Sequence, residues 1–302
     1  MPVPKTIAET TPRSWLFVPG DSERKLAKGA AAGADVLILD LEDSVSAPHK
    51  AAARRRVADF LQRDRSSAGL WVRINALSDP ESSKDLECVL PAEPDGIVVP
   101  KPRGVHDIIE LGAQLDELER RFDKVQGSTK ILPIATETAE SVFGLGDYQR
   151  AGPRLAALTW GAEDLSVALG AATNVDADGE WLPPYQLVRS LCLLGAAAAG
   201  VAAIDTVCTQ LRDTERLIGQ ASAAQRDGFC GKLAVHPDQV GVINRIFQPS
   251  SEAVAQARRV IEAFENAAGS AAISLDGAML DRPHLSRARR ILALAARIES
   301  RG

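Results

Sequence analysis

The chain alternates short apolar runs of strand length with longer segments in which apolar residues recur at helical spacing. Runs such as 36–39 and 97–99 are continuously apolar, which is typical of strands buried on both faces. Eight such runs occur, at Ser14–Gly20, Asp35–Asp43, Leu70–Ala76, Gly96–Lys101, Lys130–Glu137, Leu155–Asp164, Ala203–Cys208 and Gly228–His236. Amphipathic segments that predict helices lie between them, at Glu23–Ala32, Pro48–Arg63, Val105–Arg121, Pro184–Ala199 and Leu211–Arg226.

Eight strand–helix alternations predict an α/β fold of the (β/α)8 TIM-barrel class. An open doubly wound sheet is the alternative, and it is disfavoured because no GxGxxG turn follows the first strand run. We expect a barrel catalytic domain over residues 1–248 and a C-terminal helical extension over residues 249–302. The extension is predicted to contain two helices, Ser251–Asn266 and His284–Ser300, joined by a small-residue linker (Ala267–Ser274) and a loop (Leu275–His284).

Composition narrows the function classes. The chain has 302 residues, of which 45% are hydrophobic and 25% charged, and a net charge of −5 with both signs mixed along it. This balance argues against a nucleic-acid-binding surface. The four cysteines form no CxxC pair, so a zinc site or a disulfide framework is not expected and a reducing cytoplasm fits. The first twelve residues lack a signal-peptide core, and no apolar run is long enough to span a membrane.

Polar residues collect at the predicted carboxyl ends of the strands, where TIM barrels build their active sites. They are Asp40, Glu42, Asp43, Arg73, Asn75, Lys101, Glu137, Glu163, Asp164, Asp205 and His236. Glu137 and Asp164 end two successive strand runs about one βα unit apart, so a parallel arrangement places both carboxylates at the same end of neighbouring strands. Mg²⁺ typically takes one or two protein carboxylates and keeps water or substrate on its other positions. The alternative is that both carboxylates merely stabilise helix N-termini.

Covalent catalysis has little support in the residue pattern. No Ser-His-Asp or Cys-His spacing indicates a nucleophile. Lys101 ends the fourth strand run, which raises the alternative of a Schiff-base aldolase. Its Pro-Lys-Pro context, with carboxylates of the metal-binding type nearby, disfavours that role.

Six short motifs occur in a fixed order along nearly the whole chain. They are Leu16–Asp21, Leu39–Asp43, Val72–Asn75, Glu137–Glu140, Gly161–Leu165 and His236–Gln239. Together they resemble the citrate lyase β-subunit-like group of acyl-CoA lyases, which includes malyl-CoA and citramalyl-CoA lyases, within the HpcH/HpaI aldolase/citrate lyase superfamily. The resemblance implies a Mg²⁺-dependent lyase that cleaves a 3-hydroxy-dicarboxylyl-CoA thioester into an acyl-CoA and an α-keto acid by retro-Claisen chemistry.

The resemblance also implies roles for particular residues. Glu137 and Asp164 match the Mg²⁺ ligands of the group. Arg73 matches an arginine that contacts substrate, and a guanidinium there would stabilise the enolate formed on cleavage; the alternative is a structural ion pair. Glu42 and Asp43 match an acidic cluster near the metal-bound waters and the arginine, although Asp43 could instead cap the next helix.

A segment near the C-terminus resembles a lid motif. Residues 277–281 fit the pattern Gly-x-Met-(Ile/Val/Leu)-Asp, in which the aspartate comes from an adjacent subunit and exchanges the proton on the acetyl-CoA methyl carbon. The resemblance therefore implies acid/base work for Asp281 and a homotrimer or homohexamer. The alternative is that Asp281 caps the last helix ahead of Pro283.

Four residues are candidates for binding the coenzyme A part of the substrate: Phe17, Arg24, Lys28 and His236. The group often has an arginine two positions before Arg24, where this chain has Ser22. The alternatives are that Arg24 and Lys28 are solvated surface charges and that His236 belongs to a structural His-Pro turn.

Three rival functions share the same motifs. The first is a citrate lyase β subunit that acts on a citryl thioester of an acyl-carrier protein, with α and γ subunits as partners. The second is a malyl-CoA thioesterase, which would release CoA without keto acid. The third is a non-enzymatic CoA-binding scaffold, which the set of metal and acid/base candidates disfavours. The expected ligand of the leading function is a small-molecule acyl-CoA thioester, and no nucleic-acid or membrane partner is expected.

Overall fold

A computed structural model describes residues 11–63, 68–267 and 271–299. Three predicted features fall in part outside the described residues. They are the N-terminal segment without a signal-peptide core (up to residue 10), the small-residue linker (residues 268–270) and the end of the last helix (residue 300). The contacts between residues divide the chain into two units, one of residues 12–244 and the other containing residues 245–302.

The first unit is a parallel barrel. Its strands are β1 (Ser14–Pro19), β2 (Val36–Asp40), β3 (Gly69–Arg73), β4 (Gly96–Val99), β5 (Lys130–Pro133), β6 (Ala157–Thr159), β7 (Ala202–Asp205) and β8 (Gly231–Ala234). They are hydrogen-bonded in the order β5-β4-β3-β2-β1-β8-β7-β6. Parallel bridges from Ile131 to Leu155 and from Ile134 to Thr159 join β5 to β6 and close the ring. The prediction of a (β/α)8 TIM barrel is confirmed.

Helices follow the strands around the outside of this unit. They are α1 (Glu23–Ala30), α2 (Lys50–Arg63), α3 (Glu81–Val89), α4 (Val105–Arg121), α5 (Ala139–Phe143), α6 (Glu163–Leu169), α7 (Pro183–Ala199), α8 (Thr214–Asp227) and α9 (Pro237–Phe247), the last of which contains the division between the units. The five predicted helices agree with α1, α2, α4, α7 and α8 to within three residues at each end.

Strand alternation carries polar residues into the barrel mouth. Val36 and Ile38 belong to the apolar cluster that fills the barrel, so the next residue of the same face is Asp40. Trp71 belongs to the same cluster, and two residues later comes Arg73. The register of β2 and β3 places Asp40 directly beside Arg73. The alternation of side chains along β2 and β3, together with the register between these strands, therefore brings Asp40 and Arg73 together at the carboxyl end of the barrel.

The eight predicted strand ends lie one to five residues past the observed ones, and the difference is largest at the two proposed metal ligands. Asp164 does not end β6 but lies in the first turn of α6, and Glu137 lies in the turn between β5 and α5. After β5 the chain turns into α5, which has Thr138 as its N-cap, and after β6 it turns into α6, which begins at Glu163 directly after Ala162. Both carboxylates still lie at the barrel mouth.

The second unit packs two helices against a hairpin. Helix α10 (Ser251–Asn266) matches its predicted bounds and has Ser250 as N-cap, which accepts a hydrogen bond from Ala253 N. Helix α11 spans Arg282–Glu299. A small apolar cluster joins α10 and α11 to the side chains of Ile273, Leu275 and Leu280.

The linker and loop predicted between these helices were wrong in part. The described residues there form an antiparallel pair, β9 (Ala272–Leu275) and β10 (Ala278–Asp281). Asp276 and Gly277 both have positive φ, at 52° and 78°, which suits the two-residue turn of a β-hairpin. The Asp-Gly pair was the signal for this hairpin, but its strands are too short to give a clear alternation.

No disulfide joins the four cysteines, all of which are described: Cys88, Cys192, Cys208 and Cys230. Over the described ranges, none of the helices combines the length and the hydropathy that a membrane span requires.

Candidate active site

A cavity of about 420 Å³ opens at the carboxyl end of the barrel. Its charged wall contains Asp40, Asp43, Arg73, Glu137, Glu163 and Asp164. Its apolar wall contains Phe17, Ile134, Trp160, Val207, Leu233 and Val235. Of the residues predicted to act as metal ligands or catalytic groups, the structure thus brings Arg73, Asp43, Glu137 and Asp164 to one cavity. Such a mixture of apolar wall and converging charges is typical of a small-molecule site.

Arg73 is held rigidly by two carboxylates and a ring. Its Nε and Nη2 donate to the two oxygens of Asp40, each at 2.7 Å, in a bidentate pair. Its Nη1 lies 2.9 Å from Glu42 Oε2, an ion pair without hydrogen-bond alignment. Its guanidinium carbon also lies 4.8 Å from the ring centre of Phe17. The structural ion pair considered for Arg73 is therefore present, and the same contacts fix the guanidinium at the cavity wall.

The two carboxylates beside Arg73 differ in their pKa. Burial raises the pKa of Asp40, but the charge and hydrogen bonds of Arg73, with hydrogen bonds from the Ser44 side chain and the Glu42 amide N–H, outweigh burial and leave the pKa below its usual value. Burial also raises the pKa of Glu42, and here the charges of Arg73 and Lys101 do not fully compensate, so the pKa stays above its usual value.

Lys101 lies among the acidic residues of the site. Its Nζ is 2.6 Å from Glu42 Oε1, 3.2 Å from Asp43 Oδ2 and 3.4 Å from Asp164 Oδ1. Burial lowers the pKa of Lys101, but its hydrogen bond to Glu42 and the surrounding carboxylate charges outweigh burial and raise the pKa above its usual value. A lysine held in the charged form is a poor nucleophile, so the electrostatics of the site also disfavour a Schiff base at Lys101.

Glu137 is a buried acid of the cavity with a strongly raised pKa. Its carboxylate is buried, and the hydrogen bond that fixes it runs from the backbone N–H of Lys101 to Oε2 at 2.5 Å. Burial, together with the charges of Asp164 and Glu42, raises the pKa of Glu137 to about 8. A carboxyl group with this pKa binds a proton or a cation in preference to standing as a bare anion.

The close packing of Gly161 helps to hold Glu137. The backbone N–H of Gly161 donates to Thr136 Oγ1 at 3.0 Å, which ties the turn after β6 to the turn after β5. A Cβ atom at position 161 would lie 2.8 Å from the Glu137 Cγ and 3.2 Å from the Ile134 Cγ2. The lack of a side chain at this position therefore lets the Glu137 carboxylate reach the cavity.

The donor set fits a magnesium ion better than a transition metal. Glu137 and Asp164 offer carboxylate oxygens to the same cavity, and both contact Lys101: its backbone N–H donates to Glu137, and its ammonium lies 3.4 Å from Asp164. Within the described ranges, no group of three or more His, Cys, Asp and Glu side chains converges as a ready metal cage. Two carboxylates with room for water and substrate are what Mg²⁺ sites usually provide.

Asp281 lies in the second unit, at the end of β10 and directly before α11. Its Oδ1 is 2.6 Å from His284 Nδ1, and its backbone N–H donates to the same nitrogen at 3.2 Å. The carboxylate is about half exposed. Neighbouring Met279 is 77% exposed. The acid/base role of Asp281 stays a prediction, and so does its capping role.

The four candidates for coenzyme A binding are spread over different surroundings. Phe17 lines the cavity beneath Arg73. Arg24 and Lys28 lie exposed on α1 and do not line the cavity. His236 lies at the start of α9, where its Nδ1 accepts from the Asp238 N–H at 3.3 Å. These assignments stay predictions, and Phe17 is the one that the structure brings to the charged residues.

Trp160 is a polar-tipped cavity residue that the sequence analysis did not single out. This side chain is fully buried, lines the cavity and donates from Nε1 to Asp205 Oδ1 at 2.8 Å. Asp205 in turn accepts from the buried ammonium of Lys232 at 2.7 Å. Its position directly after the apolar residues that form β6 was the sequence signal that could have identified Trp160 as a cavity residue.

These features match one protein family. The family model described as HpcH/HpaI aldolase/citrate lyase matches residues 13–237, and a model described as C-C_Bond_Lyase of the TIM-Barrel fold matches residues 185–298. The chain belongs to the HpcH/HpaI aldolase/citrate lyase family of carbon–carbon lyases.

Individual relatives cover almost the whole chain. It is 34% identical to citrate lyase subunit beta of Leuconostoc mesenteroides subsp. cremoris, over 94% of this chain and 93% of that protein. It is 30% identical to the mitochondrial citramalyl-CoA lyase of Rattus norvegicus, over 96% and 87%. The structure of CitE from Mycobacterium tuberculosis in complex with magnesium, acetoacetate and coenzyme A has a TM-score of 0.77 and 33% identity, over 95% of this chain and 99% of that one.

Proposed function

We propose that this protein is a Mg²⁺-dependent lyase that cleaves a 3-hydroxy-dicarboxylyl-CoA thioester, such as malyl-CoA or citramalyl-CoA, into an acyl-CoA and an α-keto acid. One observation carries the proposal. The cavity combines a pair of carboxylates suited to Mg²⁺, Glu137 and Asp164, with a fixed guanidinium, Arg73. The relatives named above include a citramalyl-CoA lyase and a structure that contains magnesium and coenzyme A, which supports the same reaction and cofactors.

Each residue has a task that its surroundings support. Mg²⁺, when bound by Glu137 and Asp164, supplies a Lewis acid for the hydroxyl and carboxylate of the keto-acid half. Asp43 lines the cavity and accepts the proton of the 3-hydroxyl group. Behind it, Glu42 pairs with both Arg73 and Lys101 and so keeps the two cations in place.

Cleavage of the C–C bond leaves its electron pair on the acyl-CoA fragment as an enolate. Arg73 stays charged because Asp40 and Glu42 raise its pKa despite burial, so it stabilises this negative charge. The enolate carbon then takes a proton from the carboxyl group of Asp281, which we propose reaches the site from an adjacent subunit. The proton released from the hydroxyl and the proton added to the carbon balance the reaction.

A coupled assay tests the function. Malyl-CoA, citramalyl-CoA and citryl-CoA are supplied with Mg²⁺ or with EDTA, and keto acid and free CoA are scored separately. We expect keto acid from one thioester, only with Mg²⁺, and none from Glu137→Gln. Free CoA without keto acid would show a thioesterase instead. Equal activity in EDTA would refute the metal assignment.

A citrate lyase β subunit is the second candidate, because several relatives with that name are 32–34% identical over at least 94% of this chain. In that case the substrate is a citryl thioester on an acyl-carrier protein, and α and γ subunits are the partners. Activity on the carrier-bound thioester, with none on the three CoA thioesters, would favour this candidate.

We also propose a homotrimeric or homohexameric assembly that works in the cytoplasm. The assembly would supply Asp281 in trans, and the absence of disulfides among the four cysteines fits a reducing compartment. Light scattering that shows an active monomer would contradict the assembly.

A further inference from the structure

A single residue contacts four of the carboxylates at the barrel mouth. The ammonium of Lys101 lies within 3.4 Å of oxygens of Glu42, Asp43 and Asp164, and its backbone N–H donates to Glu137. These four acids follow three different strands, β2, β5 and β6, and Asp164 lies in the first turn of α6. Lys101 therefore links the two residues assigned to Mg²⁺ with the acidic cluster next to Arg73.

The backbone of Lys101 makes these contacts possible at the same time. Its φ is 49°, in the left-handed region that residues with a Cβ seldom adopt. In this conformation the N–H points to Glu137 while the side chain turns to the other three carboxylates. A strained backbone at a site residue is often retained because it sets the geometry of the site.

The contacts of the ammonium are unequal. The contact with Glu42, at 2.6 Å, is a close hydrogen-bonded ion pair. The contact with Asp164, at 3.4 Å, is a looser ion pair. The ammonium can therefore stay on Glu42 while Asp164 turns to another cation.

We propose that Lys101 is a positioning residue that holds Asp164 in the metal-free enzyme and competes with the divalent cation for that carboxylate, so that Lys101 sets the metal affinity of the site. The inference rests on the proposed function in so far as Glu137 and Asp164 bind Mg²⁺. A fixed positive charge next to a divalent cation weakens its binding, but the same charge compensates the clustered carboxylates while the metal is absent.

The test compares Mg²⁺ binding and stability in neutral variants. Calorimetry measures the Mg²⁺ affinity of the wild type, Lys101→Met and Lys101→Gln, and thermal unfolding is followed in EDTA and in saturating Mg²⁺. We expect both variants to bind Mg²⁺ at least about tenfold more tightly than the wild type. We also expect both to unfold at a lower temperature in EDTA, with most of that difference removed by Mg²⁺. A residue that merely supported the fold would weaken Mg²⁺ binding when replaced.

Lys50 provides the matched control. Its ammonium donates to the carbonyl oxygens of Leu41 and Glu42 and to Asn75 Oδ1, and to no carboxylate in these contacts. Lys50→Met should keep the Mg²⁺ affinity within about threefold of the wild type, because the Lys50 ammonium does not pair with the carboxylates that contact Lys101.

The outcomes separate this inference from the proposed function. If the wild type binds no Mg²⁺, the metal assignment and the role of Lys101 both fall. If Glu137→Gln abolishes Mg²⁺ binding while both Lys101 variants bind as weakly as the wild type or more weakly, the role of Lys101 alone falls. Lys101→Gln keeps a polar donor for Glu42 and decides the matter if Lys101→Met does not fold.

Discussion

Glu137 should make the metal-free protein less stable as the pH rises. Its pKa in the folded protein is raised from 4.5 to about 8 by burial and by Asp164 and Glu42. Between these two values the folded state holds a proton that the unfolded state has lost, so raising the pH favours unfolding. The variant Glu137→Gln keeps the shape of the side chain but cannot ionise, and it should lose this dependence.

The magnitude follows from the linkage of protons to folding. Each pH unit in that window is worth about 1.4 kcal/mol, so the wild type should lose about 3 kcal/mol of unfolding free energy between pH 5 and pH 7.5 relative to Glu137→Gln. The residue is only 5% exposed, so solvent screening does not reduce this figure much. Saturating Mg²⁺ should restore the wild type and leave Glu137→Gln unchanged, because the ion replaces the proton on the carboxylate.

The assay is urea unfolding in EDTA at several pH values between 5 and 8, with the midpoint and the slope of each transition fitted separately. Glu119 is a matched control, since it is another buried glutamate but its pKa is lowered to about 2: hydrogen bonds from Arg154 and backbone N–H groups outweigh burial. Glu119→Gln should therefore destabilise the protein above pH 4.5. This stability change is opposite in sign to the one expected for Glu137→Gln as the pH rises. The reasoning is refuted if Glu137→Gln and the wild type keep a constant difference across this pH range.

Three further variants test the remaining parts of the site. Arg73→Met leaves Asp40 buried without its bidentate partner, so it should cost about 3–5 kcal/mol in urea unfolding and lower kcat at least about 100-fold; a loss below about 1 kcal/mol would contradict the buried pair. Gly161→Ala should weaken Mg²⁺ binding at least about tenfold in calorimetry, with an unchanged circular dichroism spectrum, because the new methyl group displaces Glu137; unchanged affinity would show that the contact is not needed. Asp281→Asn should slow solvent deuterium exchange into the methyl group of the acyl-CoA product at least about 100-fold while Mg²⁺ affinity stays the same, and undiminished exchange would assign the proton to another group.

Much of the barrel could be read from local pattern. Continuously apolar runs such as Val36–Leu39 predict strands covered on both faces, and the amphipathic segment Val105–Arg121 gave α4 with its observed bounds. The position of Asp40 and Arg73 at the mouth also follows from alternation, because each continues the inward face of its strand. These features depend on residues close together in sequence, and such periodicity survives in a single chain.

Other features were decided by the tertiary structure. Lys101 reaches Glu42 and Asp164 across the closed barrel, and its left-handed backbone turns one N–H toward Glu137; no neighbouring residue in the sequence signals either contact. The role of Gly161 likewise depends on the turn after β5 packing against it. Local pattern predicted that the charged side chains Asp40, Arg73, Glu137 and Asp164 stand at the barrel mouth, but it did not predict Trp160 there. Barrel closure determined which of them touch, because distances across a ring depend on strand register and turn geometry rather than on local spacing.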